Sequence, residues 1–296
     1  MALLTAESIS RLAVALLRRS IVLPATVIRA PGEEYGGPNG ATVSVRVRVP
    51  RTAKTQDTPG AAIDYSDIAE TDVAVTLTHL YDATHLTDED LALNLESFGL
   101  QVLEPMVAAI AEGGEEQVAA VFNDQLADGE FASTASEADT IANILEGRAA
   151  LTTYGVPPGR RTMACAPDIL NRVLSVPTIV RADTSGSTSA LQAASPGMVY
   201  GFRVVESPAL DPGTAVLYHE SAVAWANRAP AKPTSVDAAI TTEQGISLRT
   251  VRAFDVTHLR EAVAVSTFAG AGLITDDTDE SGDDGIRRLW KIEIGS

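Results

Sequence analysis

Between residues 55 and 147 the chain carries twenty Asp and Glu residues and no Lys or Arg. Such a stretch cannot form local Glu–Lys pairs. Its self-repulsion has to be relieved by solvent, by salt or by a basic surface from elsewhere. A basic segment lies just upstream. Residues 1–54 hold eight cationic side chains, Arg11, Arg18, Arg19, Arg29, Arg46, Arg48, Arg51 and Lys54, against three acidic ones. Residues 148–296 are nearly balanced, with fourteen basic and sixteen acidic groups. A solvated acidic face satisfies this pattern. So does complementarity between copies, in which the basic segment of one chain lies on the acidic segment of the next.

The net charge of −17 over 296 residues argues against a protein that grips nucleic acid by neutralising phosphates. Hydrophobic residues make up 45%, which excludes disorder for most of the chain. No run of about 18 apolar residues is present to span a membrane. The one cysteine, Cys165, excludes an internal disulfide framework and a cysteine-based zinc site. Near the N-terminus, Ile9, Leu12, Ala13, Leu16 and Leu17 fall at helical spacing, with Arg11, Arg18 and Arg19 interrupting any signal-peptide core. This predicts an amphipathic helix closed by Pro24. It packs either on its own core or on a neighbouring subunit.

Val43, Val45, Val47 and Val49 alternate with Ser44, Arg46 and Arg48, a period-two strand with one apolar and one cationic face. A second strand is expected at residues 73–80. Residues 31–40, rich in Gly and Pro, break the chain ahead of this pair, and a long polar loop separates the two strands. A two-stranded ribbon is marginal on its own, so the valine face requires another surface. It folds back on its own domain or reaches a neighbour.

Thr87-Asp88-Glu89-Asp90 resembles a capping box, and Leu91, Leu95, Phe98, Val102, Met106 and Ile110 follow at helical spacing. The expectation is a long acidic helix over 88–112, kinked at Pro105, ended or bent at Gly113-Gly114, with a second helix at 115–126. Further helices are expected at 137–153, capped by Gly155, and at 168–174 behind Pro167. Strands are expected at 163–166, 199–205, 215–218, 247–254 and 262–268. The order lacks a βαβ rhythm, so the fold class is α+β.

Candidate chemistry is sparse. His79, Asp82 and His85 stand three apart, which suits a metal only on a helix or sharp turn, whereas this stretch straddles a strand and a cap. Asp277 to Gly282 matches the first half of a calcium loop, but Arg288 occupies the position that needs a bidentate Glu. Gly270-Ala271-Gly272 lacks the third glycine of a dinucleotide loop. Cys165 lies in an apolar strand with no histidine nearby in sequence and is expected to be buried and inert. No cofactor is expected and nothing singles out a catalytic pair, so the chain is not read as an enzyme; a soluble acidic enzyme with a diffuse site is the remaining contrast.

Three stretches carry a resemblance. Thr87-Asp88-Glu89-Asp90-Leu91-Ala92-Leu93, running into Phe98-Gly99-Leu100-Gln101-Val102-Leu103-Glu104-Pro105, is similar to the start of the spine helix in capsid proteins of actinobacterial phages. Gly197-Met198-Val199-Tyr200-Gly201-Phe202-Arg203-Val204-Val205-Glu206-Ser207-Pro208 resembles a recurring axial-domain stretch of the same family. Gly245-Ile246-Ser247-Leu248-Arg249-Thr250-Val251-Arg252-Ala253-Phe254-Asp255 is similar to its strand returning to the peripheral domain.

The chain thus resembles the tailed-phage major capsid (coat) proteins over most of residues 1–270. The resemblance implies the tailed-phage/herpesvirus capsid-shell fold: an N-terminal arm (1–30), an extended β-ribbon loop (31–80), spine helix and peripheral domain (81–134), an axial domain (135–245) and a return to the peripheral domain (246–274). Residues 275–296 are expected to be an acidic tail or surface extension. It further implies pentamers and hexamers closing an icosahedral head around double-stranded DNA, assembled in the host cytoplasm, with scaffolding, portal and decoration proteins as further partners. An encapsulin-like nanocompartment shell is the alternative. The expected inter-subunit contact sets Arg46, Arg48, Arg51 and Lys54 against Asp88, Glu89, Asp90 and Glu96 of a second copy. Ribbon and arm are expected to become ordered only on walls that sister copies supply.

Overall fold

In a computed structural model of the chain, the described residues are 6–30, 42–48, 53–56, 58, 60, 62–63, 65, 70–87, 99–134, 136–180, 197–243, 246–276 and 286–295. In chain order they form α1 (Ala6–Ser20), β1 (Ile28–Ala30), β2 (Thr42–Arg48), β3 (Glu70–Thr76), β4 (Thr78–Thr87), α2 (Glu104–Asn123), β5 (Gly129–Phe131) and α3 (Glu137–Thr153). Next come β6 (Arg161–Cys165), α4 (Pro167–Leu174), α5 (Pro177–Val180), β7 (Met198–Val199), β8 (Phe202–Glu206), β9 (Thr214–His219), β10 (Val223–Arg228) and β11 (Asp237–Glu243). The last are β12 (Ile246–Asp255), β13 (Arg260–Leu273), β14 (Thr275–Asp276), β15 (Ile286–Arg287) and β16 (Leu289–Ile294).

Two mixed sheets organise the molecule. The first runs β1-β10-β13-β12-β11, with β4 also paired to β13. The second runs β5-β16-β9-β6-β8-β7. Their helical layers make the class α+β, as the sequence order implies. Helix α2 joins the two. Met106, Val107, Ile110, Val118 and Phe122 share one buried cluster with Trp225 of β10, Val263 and Val265 of β13, and Val216 and Tyr218 of β9. The rings of Phe122 and Tyr218 stand 4.7 Å apart. The opposite face of the second sheet is covered by α3, α4 and α5 through Ile144, Leu151, Ile169, Val173 and Ile179.

The spine helix differs from expectation. It begins at Glu104, behind a π-helical turn at Gly99–Leu103, with Pro105 in its first turn, where a missing N–H costs nothing. It then runs unbroken through Gly113 and Gly114 to Asn123, so the separate helix at 115–126 is not formed. The two glycines admit neighbours instead. A Cβ at Gly113 would sit 3.3 Å from the Leu80 side chain, and one at Gly114 would sit 3.9 Å from Trp225. Thr87 is the last residue of β4. Residues 88–98 lie outside the described residues.

Helix α1 is docked on its own chain. Ile9, Ala13, Val14 and Leu17 are buried in the main core, against β11, β12 and α2. The alternative of an arm lying on a neighbour is therefore corrected for residues 6–20: the i, i+4, i+8 stripe matches the face that its own first sheet offers.

The expectation of an acidic tail or surface extension is also corrected, for residues 289–294. Strand β16 lies inside the second sheet, antiparallel to β9 and parallel to β5. Leu289 and Ile292 point into the two cores. Buried Lys291 gives its Nζ to the carbonyls of Asn123 and Gln125, each at 2.8 Å, at the end of α2. It also pairs with Glu293 Oε1 at 2.6 Å.

Other expected elements form close to their predicted bounds. Ser136 caps α3 by accepting from Asp139 N at 3.1 Å, and Gly155, at φ 77°, follows its C-cap. Pro167 opens α4. The single strand expected at 199–205 divides into β7 and β8. Tyr200 (φ 47°) and Gly201 (φ 90°) turn the chain between the paired Val199 and Phe202. Positive φ at both central residues is the signature of a type I′ turn.

Candidate functional site

The ribbon is built as the alternation requires. Strands β2 and β3 pair antiparallel, with Val43 opposite Val75 and Val45 opposite Val73. This puts four valines on one face. That face rests on the first sheet of its own chain. Val43 and Val75 are buried with Ala224, Ala226 and Ile274, and Val45, Val73 and Leu77 pack beside them. The expectation that a sister copy must cover the valines is corrected here.

Small residues in β10 and β13 make this seat possible. Along β10 the faces alternate: Trp225 points to α2, while Ala224 and Ala226 point to the ribbon. In β13, Ala269 faces the main core and Gly270 and Gly272 face the ribbon. A Cβ at Gly270 would lie 2.2 Å from the Thr76 carbonyl oxygen, and one at Gly272 would lie 3.0 Å from Val75 Cγ2. The chain leaves its edge position on β13 at Thr78, which is opposite Ala269, and crosses onto the face of the sheet through Leu77. The Gly270-Ala271-Gly272 segment thus serves as a seat for backbone, not as a nucleotide loop. Full burial of each valine contributes about 1.5–3 kcal/mol.

The ribbon register also revises the electrostatics. Arg46 lies directly opposite Asp72, and Arg48 opposite Glu70. Directly opposed residues of a ladder share a face and interact. The backbone register therefore sets two positions of the acidic stretch opposite two positions of the basic segment. Arg46 and Lys54 are exposed. Arg51, Asp88, Glu89, Asp90 and Glu96 lie outside the described residues.

A second feature was not legible as a site. A cleft of about 370 Å³ opens between α2 and the β8–β9 connection. Val22, Ala108, Ala111, Pro208 and Ala209 give it an apolar lining, and Glu112, Glu116 and Glu206 stand at exposed positions around it. Glu115 forms its inner wall. Its carboxylate accepts from Val22 N and, at 2.9 Å, from Leu23 N, at the start of a short 3-10 turn (Leu23–Ala25). It also takes a 3.4 Å bond from Ser207 Oγ. Burial pushes the Glu115 carboxyl above its ordinary pKa, against the lowering effect of these donors.

The remaining candidates are accounted for. His79, Asp82 and His85 all fall on β4. Asp82 is on the opposite face from the two histidines, which are roughly 20 Å apart along the strand. Among the described residues, no group of three His, Cys, Asp or Glu converges on a metal position. The calcium-like stretch 277–282 lies outside the described residues. Cys165 is fully buried, and burial, with Glu206 and Asp168 adding to it, pushes its thiol up to about 12. A thiol in that environment is not an activated nucleophile. Among the described residues, no helix is long and apolar enough to cross a membrane.

No family model matches the sequence, and comparison with curated proteins finds no relative. Solved structures do match. A chain from Mycobacterium phage Che8 superposes with a TM-score of 0.61 at 19% identity, over 92% of this chain and 90% of that one. The mature capsid of bacteriophage PhiM1 gives 0.60 at 13% identity, over 93% and 87%. A virus-like particle from Pyrococcus furiosus gives 0.56 at 8% identity, over 96% and 97%. The fold of this chain is the tailed-phage capsid-shell fold.

Proposed function

We propose that the chain is a major capsid protein whose copies assemble into pentamers and hexamers of an icosahedral phage head enclosing double-stranded DNA. The observation that carries this reading is the shared topology. The chain superposes on a mature capsid subunit with a TM-score of 0.60, over 93% of its own length and 87% of that chain. The reading rests on topology and not on uncovered apolar faces, since ribbon and α1 are seated on their own chain.

In this reading residues 135–245, together with β16, form the axial domain, and α2 with the first sheet forms the peripheral domain. The particle belongs to the virion, is built in the host cytoplasm, and meets scaffolding, portal and decoration proteins there. The contact of Arg46, Arg48, Arg51 and Lys54 with Asp88, Glu89, Asp90 and Glu96 of a second copy remains part of the proposal. It is weakened by the charges of Asp72 and Glu70, which share the ribbon. An acidic wall confines a polyanion without adhering to it, which suits a container for DNA.

Negative-stain imaging of the purified protein, with sizing by exclusion chromatography, tests the proposal. Closed shells are the expected result. A monodisperse monomer at every concentration and salt overturns it. The virus-like particle match supports a second reading, a nanocompartment shell. Mass spectrometry and nuclease treatment of purified particles separate the two: packaged DNA supports the head, and an enclosed protein cargo supports the compartment.

A further inference from the structure

The second sheet is electrically polar along its strands. At the Cys165 end of β6, Glu206 lies opposite Cys165 in the register, and the cleft beyond it adds Glu112 and Glu116. At the Arg161 end, which pairs with His219 of β9, the sign reverses. Arg148 at the surface of α3, Arg160 in the turn before β6, Arg161 and Arg288 gather there with the carboxylate of Glu220. Five residues of strand, roughly 17 Å, separate the two poles.

Hydrogen bonds and one ion pair hold the arginines of the basic pole in place. The buried guanidinium of Arg161 donates to the carbonyls of Pro157 at 2.9 Å and Val156 at 2.5 Å, and to Thr152 Oγ1 at 3.2 Å. Arg288 donates to Ser221 Oγ at 2.8 Å, which in turn bonds His219 Nδ1 at 2.7 Å. Arg160 pairs with Glu220 at 2.6 Å, with its own side chain 76% exposed. Among the described residues, Arg148, Arg160, Arg161 and Arg288 thus share a region with Glu220 in a chain whose net charge is −17.

We infer that this basic pole is a docking surface for a second copy of the same chain, and that Arg148 and Arg160 of one copy meet Glu112, Glu116 and Glu206 around the acidic cleft of the next. The argument is one of complementarity. The cleft has an apolar floor and a carboxylate rim, which fits an arginine side chain with its aliphatic stem and cationic head. The two poles lie at opposite ends of the same strands, so each copy offers both halves of the contact on different surfaces. A contact of that kind is heterologous, and it closes into rings when its rotation allows. Nucleic acid is the less favoured occupant of the basic pole, because the other charges of the chain repel phosphate. The inference deepens the reading of the chain as a shell subunit and rests on it.

Charge reversal and rescue test it. One variant carries Arg148→Glu and Arg160→Glu, a second Glu112→Arg and Glu116→Arg, and a third all four. All four positions are exposed. Each should therefore leave the thermal melt of the unassembled chain close to that of the parent. The first two variants are expected to lower the assembled fraction about tenfold at low ionic strength, and the third to recover it to within about twofold, since opposite charges meet again. Parent-like assembly of either two-site variant overturns the inference, as does a four-site variant that stays defective. Normal shells that have lost only their retained DNA also overturn it and assign the pole to nucleic acid. A parent chain that never assembles refutes the shell reading itself, a result distinct from all of these.

Discussion

The carbonyl oxygen of Thr76 occupies the place where a side chain on Gly270 would begin, 2.2 Å from the position of its Cβ. Backbone meets backbone there, so no rotamer change can relieve a methyl group. Gly270→Ala is expected to lift the ribbon from its seat and cost about 1–3 kcal/mol, the usual range for overpacking. Gly272→Ala meets the side chain of Val75 at 3.0 Å and should cost less. Thermal melts, with limited proteolysis across residues 42–76, check both. Equal melting temperatures and cleavage rates for parent and Gly270→Ala refute the seat.

Arg172 joins α4 to α3 and to the segment that follows β5. It is nearly buried, bonds Thr140 Oγ1 at 3.0 Å and the Ala132 carbonyl at 2.7 Å, pairs with Asp139, and lies 4.9 Å over the Phe131 ring. Arg172→Ala takes a donor from the Ala132 carbonyl and leaves the Asp139 carboxylate only Ala132 N and Asn143 Nδ2, and should destabilise by about 1–3 kcal/mol. Arg172→Lys should recover only part of this, because the three donors of an ammonium sit on one atom and cannot span the partners that Nε, Nη1 and Nη2 reach separately. Urea denaturation curves decide the order of the three proteins.

Removal of residues 286–295 distinguishes a strand from a tail. The deletion takes away Leu289, Ile292 and Lys291 and parts β5 from β9. The expected product is insoluble or lacks a cooperative melt. A soluble truncated chain with parent-like circular dichroism contradicts the placement of β16.

Glu115 gives stability a pH dependence of defined sign. Its folded pKa is raised by burial, so the folded state holds the proton more tightly than the unfolded chain does. Stability contributed by this group is therefore present at low pH and lost as pH rises from the ordinary carboxylate value through the raised one. Glu115→Gln is expected to flatten that part of the profile, as followed by melting temperature between pH 4 and 7, a range set by order-of-magnitude carboxylate values of about 4 and upward. An unchanged slope in the variant rules Glu115 out as its source.

Reversal at Arg46 acts within the ribbon before it acts between copies. Arg46→Glu places an acid opposite Asp72. Like charges in direct register cost about 0.2–1 kcal/mol, and adding Asp72→Arg should return it. Hydrogen exchange of the β2–β3 amides measures the effect. Unaltered protection in Arg46→Glu argues that the two positions do not interact.

Elements with a strong local period were legible in the sequence. The valine alternation gave β2, the spacing of Ile9, Ala13 and Leu17 gave α1, and Gly155 and Pro167 marked helix boundaries that the structure places nearby. What packs on those faces was not legible. The partner of the valines is a pair of glycines nearly two hundred residues away, and small residues advertise close approach only once their neighbour is known. Strand β16 was obscured by the acidic run before it, although Trp290, Ile292 and Ile294 alternate with Leu289, Lys291 and Glu293, a strand with one apolar and one mixed face. Lys291 is buried because the carbonyls at the end of α2 receive it. The cleft at Glu115 and the pole at Arg161 are products of tertiary placement. Neither has a motif, because their members come from four or more separate elements.

Strand β16 has a consequence for the order of events during synthesis. It lies between β5 and β9, so the second sheet cannot close while residues 289–294 are still inside the ribosome. Until they emerge, β9 presents an unpaired edge and Leu217 lacks part of its cover, a condition in which nascent chains associate wrongly. Both charged poles take their final geometry from this same sheet. Under the proposed shell reading, a chain becomes competent to recognise a second copy only after β16 has been translated.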